Sequence, residues 1–183
     1  MTDVVVVGGG PAGLSAALFT EKNGLDTVVY DTDETWMHKA HLFNYLGIDS
    51  MDGSEFVEAS REQVEGFGVD LAESEVTGVE QGADGFTVTT EDDEVSATYL
   101  VLATGADRSL AEALGCEFDG DLVDVNLSME TSVEDAYATG AMVRDQEWQA
   151  VISAGDGGAA ALDILSKEEG EHFHDFDVPA DAE

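Results

Sequence analysis

The feature that most constrains the fold of this chain is a glycine-rich turn near its N-terminus. Four consecutive valines lead into the turn, whose glycines have the spacing Gly8-x-Gly10-x-x-Gly13. Gly8 permits the tight turn, Gly10 lets the backbone approach a pyrophosphate, and Gly13 allows a helix to pack closely on a strand. The turn therefore predicts a buried strand, a loop and a helix that together bind a dinucleotide.

The residues that follow the loop extend this pattern. Pro11 and Ala12 begin the predicted helix, where proline costs no hydrogen bond and unpaired N–H groups favour an anion. Asp31 follows a second apolar strand, DTVVY, and lies eighteen residues after Gly13. A carboxylate at this place accepts hydrogen bonds from the adenosine ribose and repels a 2′-phosphate. The pattern disfavours NADP and leaves both FAD and NAD open.

The rest of the chain predicts an α/β fold with a parallel sheet, helices and a small antiparallel β-meander. A helix is expected from Ser54 to about Phe67, and β-branched segments between residues 69 and 102 end in a return strand, Tyr99–Leu102. A long helix is expected from about Gln146 to Lys167. The segment WQAVIS followed by AGDGG also fits a strand with a second phosphate loop.

The C-terminal residues differ in composition from the predicted domain. The domain is expected to span residues 1–168, and residues 169–183 are expected to form an acidic, mobile tail. His172 and His174 alternate with acidic residues there, as metal ligands do, but no metal site is predicted in a mobile acidic tail.

The charge of the chain is extreme, with 41 acidic residues against 6 basic ones and a net charge of −35. Self-repulsion of this size opposes a compact state in dilute buffer, whereas molar salt shortens the screening length to about 3 Å. Because the acids are spread along the whole chain, they predict a halophilic protein rather than a polyanion mimic with a clustered patch. The absence of a basic stripe excludes nucleic acid as a partner.

The sequence also indicates the compartment. No apolar run approaches the length of about 20 residues that a membrane span needs, and the N-terminus lacks the basic start of a signal peptide. A cytoplasmic protein with no membrane partner is expected. Cys116 is the single cysteine, which excludes an intrachain disulfide and a Cys-x-x-Cys redox pair.

Several further segments occur in an order that is typical of one family. They are GGGPAGLSAAL, FNYLGI, EFVEASREQVEGFGVDL, YLVLATGA, TSVEDAYATGA and QAVISAGDGGAAALDIL, between residue 3 and about residue 167. In these motifs the chain resembles the FAD-binding half of the thioredoxin reductase-like flavoproteins, in the pyridine nucleotide-disulfide oxidoreductase superfamily. The resemblance implies a two-dinucleotide-binding-domain-type FAD domain with FAD as cofactor. The residues that it implies for FAD binding are Gly8, Gly10, Pro11, Ala12, Gly13, Asp31, Thr104, Gly105, Gly140, Gln149 and Ala150.

The sequence departs from this family in two ways. Members carry an inserted nicotinamide-nucleotide domain with the redox cysteine pair after ATGA, but here only about thirty residues separate ATGA from AYATGA. The resemblance thus implies an FAD-dependent oxidoreductase without its own pyridine-nucleotide domain, which receives electrons from a separate donor protein, from loosely bound NAD(P)H or from a small substrate. In addition, Ala141 replaces the acid that the family places on the flavin ribityl chain.

These departures keep an alternative open, namely a non-catalytic FAD- or NAD-binding module that acts as a pseudoenzyme, carrier or sensor. Family members commonly pair, and the lost domain leaves apolar surface, so a homodimer is a further hypothesis.

His38 and His41 lie where the family approaches the flavin ring and are the candidate catalytic residues, as proton donors. The competing interpretation is that both are partly exposed loop residues.

Overall fold

A computed structural model of the chain describes residues 2–178. These residues form a seven-stranded sheet with helices packed on it. The strands are β1 (Thr2–Val7), β2 (Thr27–Asp31), β3 (His41–Leu42), β4 (Met51–Asp52), β5 (Asp70–Glu73), β6 (Val76–Gly82), β7 (Gly85–Thr90), β8 (Glu94–Leu102), β9 (Phe118–Asp119), β10 (Leu122–Val123) and β11 (Ala136–Ala138). The helices are α1 (Pro11–Lys22), α2 (Gly53–Phe67), α3 (Ser109–Leu114) and α4 (Ala150–Glu169), with 3₁₀ turns at Trp36–Lys39 and Gly140–Met142.

The sheet has the order β5-β2-β1-β8-β7-β6, and β11 also pairs with β8. β1, β2, β5, β11 and the later part of β8 are parallel neighbours, while β6, β7 and the start of β8 form an antiparallel meander. The predicted α/β fold with a parallel sheet and a small meander is therefore confirmed.

Two details of the strand prediction are wrong. Asp70–Glu73 was expected in the antiparallel meander, but it is an edge strand parallel to β2. The predicted return strand, Tyr99–Leu102, is not a separate element but the end of β8, which pairs with β7 through Glu94–Ala97 and with β11 through Leu100–Leu102. A single strand serves both partners because it is nine residues long and each partner covers only one part of it.

The valine run occupies the centre of the sheet. Val4 and Val6 face α1 and α4, while Val5 and Val7 face the meander and α3, and all four side chains are buried. A strand buried on both faces is continuously apolar instead of alternating, which explains why this run has no polar residues.

The first and last helices cross closely on one face of the sheet. A Cβ atom on Gly157 would overlap the carbonyl of Ala12, so only glycine fits at that point of α4. Ala160 and Ala161 continue this buried face of small residues. The crossing brings the N-terminus of α4 beside the glycine loop.

The segment after α4 lies against α1. Lys22 Nζ contacts Asp175 at 2.6 Å and Asp177 at 2.5 Å, and the Phe173 N–H donates to Ser166 Oγ at 3.0 Å. Residues 179–183 of the predicted tail lie outside the described residues, and the division of the chain at residue 168 stays a prediction. Across residues 2–178 no helix combines the length and apolar character that a membrane crossing requires.

Candidate functional site

The glycine loop joins the end of β1 to α1 and is fixed on both sides. The Gly8 N–H donates to the Tyr30 carbonyl at 2.8 Å, and the Ala103 N–H donates to the Val7 carbonyl at 2.8 Å. Gly8 has φ +111°, and a Cβ there would overlap the carbonyl of Ala103. The loop is therefore pressed against the end of β8, where only glycine is tolerated.

Asp31, at the end of β2, anchors the loop from the other side. Its Oδ1 accepts a hydrogen bond from the Gly9 N–H at 2.9 Å, and its Oδ2 accepts one from Arg61 of α2. Arg61 also pairs with Asp33 at 2.9 Å. The hydrogen bond from His38, with the nearby Arg61 charge, lowers the pKa of Asp33 below its usual value. Asp31 is thus held between the loop and α2.

A cleft of about 710 Å³ opens where the loop, the end of β2, the end of β8 and the start of α4 meet. Nine of the eleven residues predicted to bind the cofactor line it, namely Gly8, Gly10, Pro11, Ala12, Asp31, Thr104, Gly105, Gly140 and Ala150. Gly13 lies one turn into α1 against the Gly8 carbonyl, and Gln149 is the N-cap of α4. The fold therefore gathers these predicted residues at one place, and their role in binding stays a prediction.

Both long helices that begin at the cleft have open N-termini. Neither Gly10, the N-cap of α1, nor Gln149 provides a capping side chain, and neither first turn holds an acid. By contrast α2, which begins away from the cleft, is capped by Asp52 and has Glu55 in its first turn. The first N–H groups of a helix have no intrahelical acceptor. The cleft is thus suited to an anion at two places.

The segment after β8 is tied to the Gly140–Met142 turn by a guanidinium that the sequence analysis missed. Arg108 donates to the carbonyls of Ala141 at 2.9 Å, Met142 at 3.1 Å and Ala106 at 2.9 Å. Ala141 contributes only a methyl group and its backbone to the cleft wall. Arg108 follows Asp107 in the sequence, and nothing in that pair of residues signals contacts with carbonyls more than thirty positions away.

Asp107, beside Arg108, also lines the cleft and is ionised at neutral pH. The backbone N–H and then the hydroxyl of Ser109 donate to its carboxylate, which lowers the pKa of Asp107. Thr104 Oγ1 donates to the backbone carbonyl of Asp107 at 2.5 Å. This wall of the cleft is therefore rigid and negatively charged.

An aromatic pair forms another part of the wall. The rings of Trp36 and Trp148 have centroids 5.2 Å apart and planes inclined by 52°. Both residues line the cleft, although 112 positions separate them in the sequence. Only the fold shows that the two tryptophans meet.

The two candidate catalytic histidines are not among the residues that line the cleft. His38 hydrogen-bonds through its ring nitrogens to Ser54 Oγ and Asp33 Oδ1, each at 2.9 Å. His41 Nε2 lies 2.9 Å from Ser50 Oγ, and its ring packs on Phe43. Both are exposed, and a catalytic role for either stays a prediction.

Comparison with curated proteins finds thioredoxin reductases. The chain is 31% identical over 118 residues to the thioredoxin reductase of Listeria monocytogenes. This aligned region covers 63% of this chain and 37% of that protein. It is 27% identical over 169 residues to the thioredoxin reductase of Mycolicibacterium smegmatis, covering 90% of this chain and 51% of that protein. The chain thus spans between about a third and a half of these two relatives.

Solved structures share the fold at low sequence identity. The atypical thioredoxin reductase TRi from Desulfovibrio vulgaris Hildenborough superimposes with a TM-score of 0.87 at 19% identity, covering 93% of this chain and 99% of that one. A thioredoxin reductase from Gloeobacter violaceus gives a TM-score of 0.86 at 21% identity, covering 97% and 98%.

The family model described as pyridine nucleotide-disulphide oxidoreductase matches residues 2–109 and 41–158. Together these ranges include the glycine loop, both sides of the cleft and the start of α4. The resemblance predicted from the sequence motifs is confirmed, and the chain belongs to the pyridine nucleotide-disulphide oxidoreductase family.

Proposed function

We propose that the cleft binds FAD and that the chain is an FAD-dependent oxidoreductase of the thioredoxin reductase-like group. The observation that carries this proposal is the meeting of the Gly8–Ala12 loop, Asp31 and the open N-terminus of α4 in one cleft. The cleft volume of about 710 Å³ is in the range of cofactor sites.

Each part of the cofactor would have its own partners. The loop and the start of α1 would hold the pyrophosphate through backbone N–H groups. The free N–H groups and the dipole at a helix N-terminus bind an anion without a basic side chain. Asp31 would accept hydrogen bonds from the adenosine ribose hydroxyls. Thr104, Gly105 and Gly140 would line the path towards α4. Bound FAD would supply hydride and electron transfer, which no side chain of the protein can perform.

The N-terminus of α4 would act on the flavin end of the site. Gln149 and Ala150 begin this 20-residue helix with no capping side chain. The partial positive charge of such a terminus stabilises an adjacent negative charge by roughly 0.3 to 1 kcal/mol. The protein would therefore favour the anionic form of a reduced ring placed there.

The electrons would come from outside this domain. Between Gly105 and Ala136 the chain forms only α3 and the two-stranded pair of β9 and β10, about thirty residues in all. This length is too short for a nucleotide-binding domain. A separate donor protein, loosely bound NAD(P)H or a small substrate would reduce the flavin.

His38 and His41 remain the proposed proton donors, and His38→Ala and His41→Ala test that role by the pH dependence of turnover.

The first experiment is a visible absorption spectrum of the protein purified in molar KCl, followed by denaturation and identification of the released nucleotide. A flavin spectrum with FAD released supports the proposal. A colourless protein that takes up no added FAD contradicts it. Asp31→Ala should weaken FAD binding by about tenfold or more, since it removes charge-assisted hydrogen bonds. Asp70→Ala is the matched control, because it removes an exposed acid from the neighbouring strand.

Ala141 favours a second candidate, a non-catalytic module that binds FAD or NAD as a structural or sensing ligand. In that case a bound flavin would resist reduction and would not pass electrons to oxygen or a dye. Photoreduction followed by reoxidation with a dye separates the two candidates. Release of NAD in place of FAD on denaturation identifies an NAD-binding protein.

We also propose that the chain forms a homodimer. Phe43, Leu46 and Leu127 are largely exposed, and apolar side chains of this size favour burial in an interface. Light scattering in molar KCl should give twice the mass of one chain. A monomer mass contradicts the proposal.

A further inference from the structure

The Trp36–Trp148 pair has the properties of a binding surface for a planar ring. Trp36 and Trp148 are 49% and 46% exposed, although both line a cleft. Aromatic rings gain free energy from burial, so two neighbouring rings that stay exposed beside a cleft mark a binding surface.

A hydrogen bond fixes the Trp148 ring, and a short turn fixes the backbone of Trp36. Trp148 Nε1 donates to the Arg144 carbonyl at 3.0 Å, which leaves its ring face without a polar group to satisfy. Trp36 opens a 3₁₀ turn whose N-cap Thr35 accepts a hydrogen bond from the Met37 N–H at 3.4 Å. The Trp148 ring is therefore preorganised for stacking and loses little side-chain entropy when a ligand ring binds.

The distance between the rings determines how a ligand would bind. A ring inserted between two others needs about 7 Å between their planes, or two contact distances of about 3.5 Å each. The centroids here are 5.2 Å apart and the planes are tilted. A ligand would thus lie on an exposed outer face of the pair and would not be sandwiched.

The charge of the cleft determines which rings are accepted. Four of its lining side chains are carboxylates, namely Asp31, Glu34, Glu75 and Asp107. No lysine, arginine or histidine is among the described residues that line it. Arg61 pairs with Asp31 and Arg144 pairs with Asp156. The guanidinium of Arg108 is engaged by the carbonyls of Ala106 and Ala141. The helix N-termini at the glycine loop and at Ala150 favour an anion but carry no formal charge. A cationic ring on the tryptophan faces would gain attraction from the carboxylates and from the rings, whereas an anionic ring would have no cationic side chain to pair with among the described residues that line the cleft.

We propose that the Trp36–Trp148 pair binds a planar aromatic cation, as the second substrate beside the proposed flavin site. As a substrate site this rests on the proposed function, but the stacking itself is a property of the chain without cofactor. The selectivity for positive charge extends the proposed function, because it specifies the class of small substrate, an electron-accepting aromatic cation.

The test uses intrinsic fluorescence, because the chain has two tryptophans and both belong to the pair. The cofactor-free protein in molar KCl is titrated with 1-methylnicotinamide, nicotinamide and nicotinate, which have closely related rings with positive, neutral and negative charge. We expect saturable quenching with an unchanged fluorescence lifetime, and at least about fivefold tighter binding of the cation than of the anion. Contact attraction of this kind persists at a screening length of about 3 Å.

Variants assign the binding to the pair. Trp148→Ala should abolish saturable quenching of the remaining Trp36, and Trp148→Phe should retain weaker binding, since phenylalanine is the poorer cation–π partner. Phe67→Ala, which removes a half-exposed aromatic ring that does not line the cleft, should leave binding unchanged. Equal affinity for the three probes, or purely collisional quenching, overturns the proposal.

Loading with FAD separates this proposal from the proposed function. If the protein takes up FAD and still binds 1-methylnicotinamide, the pair is a second-substrate site. If FAD abolishes probe binding, the tryptophans cover the flavin and the second-substrate proposal is overturned. If FAD does not bind but the cation still does, the flavin proposal fails and the stacking site stands.

Discussion

Arg144 and Asp156 form a two-point ion pair, with Nη2 2.6 Å from Oδ1 and Nε 3.2 Å from Oδ2. The Asp156 side chain is only 6% exposed, and its hydrogen bonds raise the pKa of the arginine. The Arg144 carbonyl accepts the indole N–H of Trp148. One buried carboxylate on α4 therefore holds the segment that carries half of the aromatic wall.

Asp156→Asn should lower the free energy of unfolding by about 2 kcal/mol, because it leaves a guanidinium beside a buried neutral group. The value is lower than for a fully buried pair, since Arg144 is about a third exposed. Chemical unfolding in molar KCl measures the change. Glu169→Gln removes one exposed charge from the same helix and is the control; an equal effect of both variants would contradict the prediction.

Gly157→Ala should destabilise the fold by about 2 kcal/mol, because the added methyl would overlap the Ala12 carbonyl at the α1–α4 crossing. Gly155 is two positions away on the same helix and has no atom within 4 Å of the place of its Cβ. Gly155→Ala should therefore stabilise by up to about 1 kcal/mol through helix propensity. Thermal unfolding of both variants measures the contrast, and shifts of the same sign would be inconsistent with a close crossing.

The buried tyrosines predict that stability falls at alkaline pH. Burial, and then the hydrogen bonds to Asp163 and Glu168, raise the pKa values of Tyr137 and Tyr99 above the ordinary value of 10.0. A phenol whose pKa is raised by folding contributes stability that is complete below about pH 10 and is lost as the pH rises further. Absorbance at 295 nm in molar KCl should show that some of the four phenols ionise only on unfolding. Reversible ionisation of all four with unchanged circular dichroism would contradict this.

Ala141→Asp should tighten FAD binding by about tenfold, if the carboxylate restores one charge-assisted hydrogen bond to the ribityl chain. The position is suitable, because Ala141 lines the cleft and Arg108 fixes its backbone through the carbonyl. Fluorescence titration of FAD measures the affinity, and Ala141→Asn, which lacks the charge, should give a smaller gain. Unchanged affinity in both variants would show that the methyl group does not limit binding.

The central fold and the nucleotide loop could be predicted because their signals are local. The valine run, the glycine spacing and Asp31 each depend on neighbours within one βαβ unit. The segment DLAE of β5 was harder, because its two apolar side chains are only half buried at a sheet edge and give no period. Its parallel pairing with β2 is decided by tertiary contacts.

The contacts that shape the cleft wall could not be predicted, because their partners are distant in sequence. Arg61 reaches Asp31 across 30 positions, and Arg108 reaches the Ala141 carbonyl across 33. Only the crossing of α1 and α4 brings the segment with Trp148 to the loop that follows β2. An isolated arginine or tryptophan shows no pattern that identifies such a partner.

The acidic surface predicts that the fold is lost in dilute buffer. The net charge of −35 is spread over the surface, and on α2 the exposed Glu58, Glu62 and Glu65 follow at helical spacing, where like charges repel. Far-UV circular dichroism should show unfolding as KCl is lowered from molar to millimolar concentration.

The triple variant Glu58→Gln, Glu62→Gln, Glu65→Gln should move the midpoint to lower salt, because it removes three mutually repelling charges without touching a buried group. Equal midpoints in KCl and NaCl would assign the effect to screening over about 3 Å and not to a specific cation. A spectrum unchanged in dilute buffer would show that the repulsion is too weak to matter and that the chain is not adapted to salt.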